Sequence, residues 1–211
     1  MERLPGHVAR LQQFFTKLEG ETYPEIPSEL HTGISNAMID KLLPTWGFSR
    51  GARILDIGCG QGLALTRFAA EGFAVTGITL NATDVAVCKS QGFDVQHMDQ
   101  SFLEFDDASF DLVWCRHCLE HSCFPYFTLS GFRRVLKPGA WLYVEVPAPD
   151  TACAHQTNPN HYSTLGRSLW RSLITRSGFR MIEETNVTFE LLQGGSDEYL
   201  VFLARVEATT P

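Results

Sequence analysis

The densest chemistry in the chain lies in the nine residues Cys115-Arg116-His117-Cys118-Leu119-Glu120-His121-Ser122-Cys123. A histidine with an unperturbed pKa near 6.5 gives and takes protons at neutral pH. His117, Glu120 and His121 are therefore candidates to deprotonate or orient an incoming nucleophile, with backbone hydrogen bonding as the plain structural alternative for His121. The same letters admit a metal. His117-x-x-Glu120-His121 matches an inverted zinc-hydrolase motif, and Cys115-x-x-Cys118 matches half of a zinc site. A structural zinc needs four ligands, yet the chain has no second C-x-x-C. A catalytic zinc needs a helix carrying both histidines and a third ligand that no spacing here fixes. No metal is expected. A second polar cluster runs from His155 to Ser163 and includes His161 and Tyr162. These two are candidates to line a substrate pocket, or else only lead into a helix capped by Ser163.

A third candidate is the glycine loop Gly58-Cys59-Gly60-Gln61-Gly62, which follows an apolar run and leads directly into a helical pattern. At the carboxyl end of the first strand of an open α/β sheet, glycines remove the Cβ atoms that would block a ligand from the backbone. The G-x-G-x-G spacing is neither the nicotinamide fingerprint nor a P-loop, and Asp56 stands where a dinucleotide-binding strand is normally apolar.

The elements that must position these groups follow from periodicity. Before residue 51, Val8, Leu11, Phe14, Phe15 and Leu18 recur at helical spacing up to Gly20, and Ile34, Ala37, Met38 and Leu42 do so before Pro44. Tyr23 to Pro27 reads as a loop between them. From Ala52 onward short apolar runs alternate with amphipathic stretches, the pattern of βαβ units. Strands are expected near Arg53–Ile57, Ala74–Ile78, Asp94–His97, Phe110–Cys115, Ala140–Val146, Phe179–Phe189 and Glu198–Val206. Helices are expected at Leu63–Glu71, at Asn81–Ser90 behind an Asn81 cap, at Pro125–Lys137, and after a Ser163 or Thr164 cap up to Gly178. Only Leu191–Asp197 separates the last two strands, too little for a parallel crossover, so they are expected to form an antiparallel hairpin. The fold class is an α/β, Rossmann-like doubly wound seven-stranded sheet, mostly parallel, with helices on both faces. Residues 1–51 are read as a helical cap over the site and 52–211 as the core.

Over about residues 52–206 the chain resembles the class I S-adenosylmethionine-dependent methyltransferases. ILDIGCGQG, VTGITL, HMDQSFLEF, SFDLVWCRHCLEH and RRVLKPGAWLYVEVP occur in that family's order. The resemblance implies S-adenosyl-L-methionine as cofactor and S-adenosyl-L-homocysteine as product. It implies that Asp56, Gly58 and Gly60 border the methionine half of the cofactor. It further implies that Asp99 accepts from the adenine amino group beside Gln100 and Ser101, and that the backbone of Cys115 and Arg116 holds the methionine portion. It also sets His117, Glu120 and His121 over the sulfonium methyl. Most members end the second strand with an acid, and here that place is Thr79. Gly77-Ile78-Thr79-Leu80-Asn81 is similar instead to the G-x-T-L-S variant of cyclopropane fatty-acid synthases and some glycine-family N-methyltransferases. That variant implies cofactor contacts from Thr79 and Leu80 and ribose binding by Asp84, a residue that otherwise only completes a capping box with Asn81.

Composition limits the partners. The 211 residues carry 17 Lys+Arg against 24 Asp+Glu, a net charge of −7, with 44% hydrophobic and 19% charged residues. Such a chain buries a substantial core, and the acidic excess argues against binding phosphate backbones. The longest apolar run, Tyr199–Ala204, is six residues where a membrane span needs about 20. The first residues lack the features of a secretory signal, so a cytoplasmic location is expected. Cys88 and Cys115 lie in apolar stretches, and reduced thiols are expected. The expected function is methyl transfer to a small-molecule O, N or S acceptor. The alternatives are a non-catalytic cofactor-binding partner domain, another alkylation from the same cofactor, or a zinc hydrolase.

Overall fold

The computed structural model describes residues 4–19, 24 and 26–207, and the side chains of Leu18 and Tyr23 lie outside the described set. Two helices, α1 (Leu4–Glu19) and α2 (Glu29–Trp46), precede the sheet. Next come β1 (Arg53–Ile57), α3 (Leu63–Ala70), β2 (Ala74–Thr79), α4 (Ala82–Ser90), β3 (Asp94–His97) and β4 (Phe110–Arg116). The second half comprises α5 (Pro125–Val135), β5 (Leu136–Pro147), α6 (Arg167–Arg176), β6 (Phe179–Glu190) and β7 (Ser196–Val206), with short 3-10 turns at Leu119–His121 and His155–Thr157. The sheet order is β3-β2-β1-β4-β5-β7-β6. β1 to β5 are parallel, and β7 runs antiparallel between β5 and β6, as the short last connection requires.

Two-residue alternation along the strands sorts the core onto the two faces. Val113 and Cys115 of β4, with Leu142 and Val144 of β5, join Leu129, Phe132, Trp170 and Ile174 of α5 and α6. Leu112, Trp114, Trp141 and Tyr143 point the other way, against Met38, Ile39, Leu42 and Trp46 of α2 and Phe68 of α3. Trp114 and Tyr143 stack with centroids 3.9 Å apart.

Three boundaries differ from the sequence expectation. α2 does not stop before Pro44 but continues through it to Trp46, closed by Gly47 at φ +61°. Pro44 sits in the final turn, where it forfeits one helical bond, and the buried Trp46 indole anchors that turn 6.1 Å from Phe68 and 6.2 Å from Trp114. α5 ends at Val135 rather than at Lys137, because Leu136 already pairs with Phe110 and begins β5. Neither Ser163 nor Thr164 caps α6, whose N-cap is Gly166. The Ser163 hydroxyl instead donates to the Ser122 carbonyl at 2.7 Å, tying the loop after β5 to the loop after β4. The Asn81 cap is formed, accepting from the backbone of Thr83 and Asp84 at 3.0 and 3.2 Å.

Candidate active site

Two cavities open at the carboxyl edge of β1, β2 and β4 and meet at Gly58, His117 and His121. β1 delivers the junction. Its last residues feed the glycine loop, and the Gly58 and Cys59 amides both bond to the Ile78 carbonyl, at 2.9 and 3.0 Å. Gly58 lies at φ +69°, and a Cβ there would stand 2.6 Å from Cys118 Sγ, so glycine is required both by conformation and by space.

The first cavity is lined by Ile78, Thr79, Leu80 and Asp84 on one side and by Met98, Asp99, Gln100 and Ser101 on the other. Asp84 is only 1% exposed. The Asn81 N–H, which a full capping box would return to Asp84, is donated to Thr79 Oγ1 at 3.2 Å. Asp99 is set by the Ser101 amide, which donates to its Oδ1 at 2.7 Å. Gln100 donates to the Cys118 carbonyl at 2.8 Å, bracing the segment after β4. Phe15 of α1 closes the mouth and meets Phe102 edge-on at 4.7 Å. The lining combines apolar Ile78 and Met98 with the carboxylates of Asp84 and Asp99, groups that accept hydrogen bonds from hydroxyl or amino donors.

The second cavity takes Asp56, Gly60, Arg116, His117, Glu120 and His161 together with Ser28, His31 and Ser35 of α2 and its N-cap. Its floor is a buried charge cluster. Glu145 on β5, 0% exposed, pairs with Arg116 Nε at 2.7 Å, accepts from His117 Nε2 at 3.1 Å and from the Tyr143 hydroxyl at 2.5 Å. Burial alone would raise the Glu145 pKa, but the His117 hydrogen bond and the Arg116 charge outweigh it and hold the carboxyl below its ordinary value. His117 is pushed the other way, to about 4, chiefly by burial, which exceeds the opposing pull of Glu145. It is neutral at pH 7, sits at φ +50°, and is held by its amide bond to the Glu145 carbonyl at 2.8 Å. His31 Nδ1 lies 3.2 Å from both terminal nitrogens of Arg116.

His121 and His161 face each other with centroids 4.8 Å apart. His121 Nδ1 donates to the Asn160 carbonyl at 2.8 Å. A carbonyl can only accept, so in the neutral ring Nε2 keeps its lone pair. Burial lowers the pKa of His121, and burial together with the neighbouring rings of His121 and His155 lowers His161 to about 4. Behind them His155 Nε2 bonds to the buried Asp197 of β7 at 2.9 Å, and Tyr199 of β7 meets His117 edge-on at 4.1 Å.

The side chain of Cys115 lines neither cavity: it alternates with Trp114 and Arg116 on β4 and is buried in the core on the α5 and α6 side, so only its backbone stands at the strand end. His161 lines the second cavity and Tyr162, 41% exposed, the first. Sequence reasoning missed Glu145, His31, His155, Asp197 and Tyr199. Glu145 carried a readable signal, a lone acid within the apolar run Trp141-Leu142-Tyr143-Val144-Glu145-Val146.

Residues 55–144 match the family model described as a methyltransferase domain. Together with the sheet order, this defines the segment as a class I S-adenosylmethionine-dependent methyltransferase domain. Among similar proteins is the ubiquinone biosynthesis O-methyltransferase of Paracidovorax citrulli, 34% identical over 113 residues, covering 50% of this chain and 46% of that protein. The enzyme of that name from Coxiella burnetii is 26% identical over 166 residues, covering 76% of this chain and 61% of its own. The 27-O-demethylrifamycin SV methyltransferase of Amycolatopsis mediterranei is 33% identical over 125 residues, covering 53% and 46%. The chain thus spans about half to three fifths of the length of these relatives. A solved S-adenosylmethionine-dependent methyltransferase from Archaeoglobus fulgidus has the same fold at TM-score 0.67 and 20% identity, covering 82% of this chain and 94% of that one. Phosphoethanolamine N-methyltransferase 2 of Haemonchus contortus, solved with S-adenosylhomocysteine, does so at TM-score 0.67 and 18% identity, covering 81% and 52%. No helix among the described residues is long and apolar enough to cross a membrane.

Proposed function

We propose that the chain methylates a hydroxyl oxygen of a small molecule, using S-adenosylmethionine. The observation that carries this reading is the junction of the two cavities, where Gly58, His117 and His121 bring an adenosine-shaped slot against a histidine- and carboxylate-lined chamber. Bound there, the cofactor supplies an electrophilic methyl group on a sulfonium.

The chain's own residues divide the remaining work. Asp84 and Asp99 accept from the ribose hydroxyls and the adenine amino group, Thr79 and Leu80 form the slot's edge, and Gln100 and Ser101 hold Asp99 and the following backbone in place. Asp56, Gly60 and Arg116 surround the methionine end. Glu145 orients His117 through Nε2, and burial keeps that ring uncharged against the pull of the carboxylate. His121, with its Nε2 lone pair retained, and Glu120 are the groups available to orient and ionise an acceptor hydroxyl. Positioning of this kind supplies most of what a displacement at carbon needs from a protein. His161, from the second cavity, and Tyr162, from the mouth of the first, bound the acceptor space. α1 and α2 act as a cap, contributing Phe15 to one cavity and His31 to the other. The oxygen preference draws on the names of the relatives and on a chamber suited to removing a hydroxyl proton.

The test is incubation with methyl-labelled S-adenosylmethionine and a panel of phenolic and alcoholic acceptors, beside calorimetry for the cofactor. Labelled ether product from at least one acceptor is expected. Cofactor binding with no product from hydroxyl, amine or thiol panels would favour a non-catalytic cofactor-binding domain, and absence of binding would overturn both readings.

A further inference from the structure

The motif that suggested a metal in the sequence paired His117 with Glu120 and His121. The folded chain keeps His117 Nδ1 3.7 Å from Glu120 but turns its Nε2 to Glu145, and the loop after β5 adds His161 beside His121 and Glu120. One ligand atom from each of Glu120, His121 and His161 lies within 4.8 Å of the others, on the wall of the second cavity.

Three features make this set more than a chance grouping. His121 ties Nδ1 to the Asn160 carbonyl, which leaves Nε2 as the donor atom. His161 presents a buried Nδ1 with no hydrogen-bond partner, facing the His121 ring. An imidazole whose far nitrogen is held by a carbonyl is the usual form of a metal-bound histidine. Glu120, only 1% exposed, supplies the anionic third position. The loops that carry the set are pinned to one another, since Ser163 bonds to both the Glu120 and Ser122 carbonyls, at 2.9 and 2.7 Å.

We infer that Glu120, His121 and His161 form a binding site for a divalent cation, with its remaining coordination positions open to the second cavity. Two imidazoles and one carboxylate select zinc or a similar transition metal over magnesium, which prefers an all-oxygen shell. Tetrahedral zinc sets its ligand atoms about 3.4 Å apart, so no pair must close by more than roughly 1.4 Å, a movement within reach of side-chain rotation. The site deepens the methyltransferase reading and rests on it for its purpose. A cation there holds an acceptor oxygen and favours its ionised form without a protonated base beside the cofactor.

The site can be tested without activity. Chelator-treated full-length chain is titrated with zinc chloride by calorimetry, and elemental analysis is made after desalting. One saturable zinc per chain is expected. Since loss of an outer-shell partner already costs about 10–100-fold in metal affinity, His161→Ala and His121→Gln are expected to weaken binding by at least about 100-fold. His155→Ala is expected to retain the site, and circular dichroism melts confirm that each variant folds. Absence of saturable binding in the wild type overturns the inference. So does a zinc lost in His155→Ala but kept in His161→Ala, which would place the ion at Cys153, His155 and Asp197. A parallel titration with S-adenosylmethionine separates the two readings: zinc bound without cofactor binding supports the site and sinks the methyltransferase role.

Discussion

Replacing Glu145 by glutamine tests the buried cluster that floors the second cavity. The change keeps side-chain volume but removes the charge and one acceptor. His117 and Tyr143 donate to the two carboxylate oxygens at 3.1 and 2.5 Å, and Arg116 Nε pairs with the carboxylate by charge at 2.7 Å. An amide offers a single acceptor oxygen, so at least one donor then meets an NH2 group. Arg116, 11% exposed at its side chain, also loses its counter-ion. Breaking one partner of a buried pair costs about 3–5 kcal/mol. With roughly 2–4 °C per kcal/mol for a protein of this size, the melting temperature at pH 7 falls by about 6–20 °C. The pH dependence has a definite sign. The folded pKa of Glu145 lies below its ordinary 4.5, so its contribution is complete above pH 4.5 and is lost as pH falls through the folded value. The gap between wild type and Glu145→Gln should therefore narrow on acidification below 4.5. Differential scanning calorimetry from pH 7 to pH 3.5 measures it. A variant within 2 °C of wild type at pH 7, or a gap that stays constant to pH 3.5, would refute the argument.

Gly58→Ala forces an alanine to φ +69° and its Cβ onto Cys118. A loss of about 2–4 kcal/mol from left-handed strain plus overpacking should appear as a lowered urea midpoint with unchanged m-value. Asp99→Ala removes an acceptor from the slot and should weaken S-adenosylmethionine binding by about 10–100-fold in calorimetry with little change in melting temperature. Asn81→Ala removes the cap of α4 and should cost about 1 kcal/mol in chemical denaturation.

What the chain discloses before folding depends on how far apart the interacting residues lie. The parallel sheet was readable because alternation and glycine stops are local, and the lining of the first cavity was readable because it is drawn from contiguous motifs, one ending at Thr79-Leu80 and one running through Asp99-Gln100-Ser101. The acceptor chamber was only half readable. Arg116 and His31 are 85 positions apart, and His155 and Asp197 are 42 apart, so no spacing rule joins them. For Cys115 the motif concerns the backbone alone, which stands near the end of β4 while strand alternation turns the side chain into the core. Ser163 looked like a cap because hydroxyls favour helix starts, whereas a carbonyl on a distant loop competed for it successfully.

The reversed direction of β7 divides the molecule's labour. Parallel strands can offer a ligand only the loops beyond their carboxyl ends, and the loops after β1, β2 and β4 line the two cavities. β7 runs the other way, so Tyr199 reaches the second cavity from the opposite polarity, in register with Pro147, while Asp197 holds His155 behind it. The turn preceding them, with Gly194 and Gly195 both at positive φ, touches the loop after β5 through the Ala152 amide on the Ser196 carbonyl at 3.2 Å. Insertions or exchanges in this hairpin would reshape one wall of the second cavity while leaving the first intact. On the proposed function, that makes residues 191–199 the natural handle for redirecting acceptor choice.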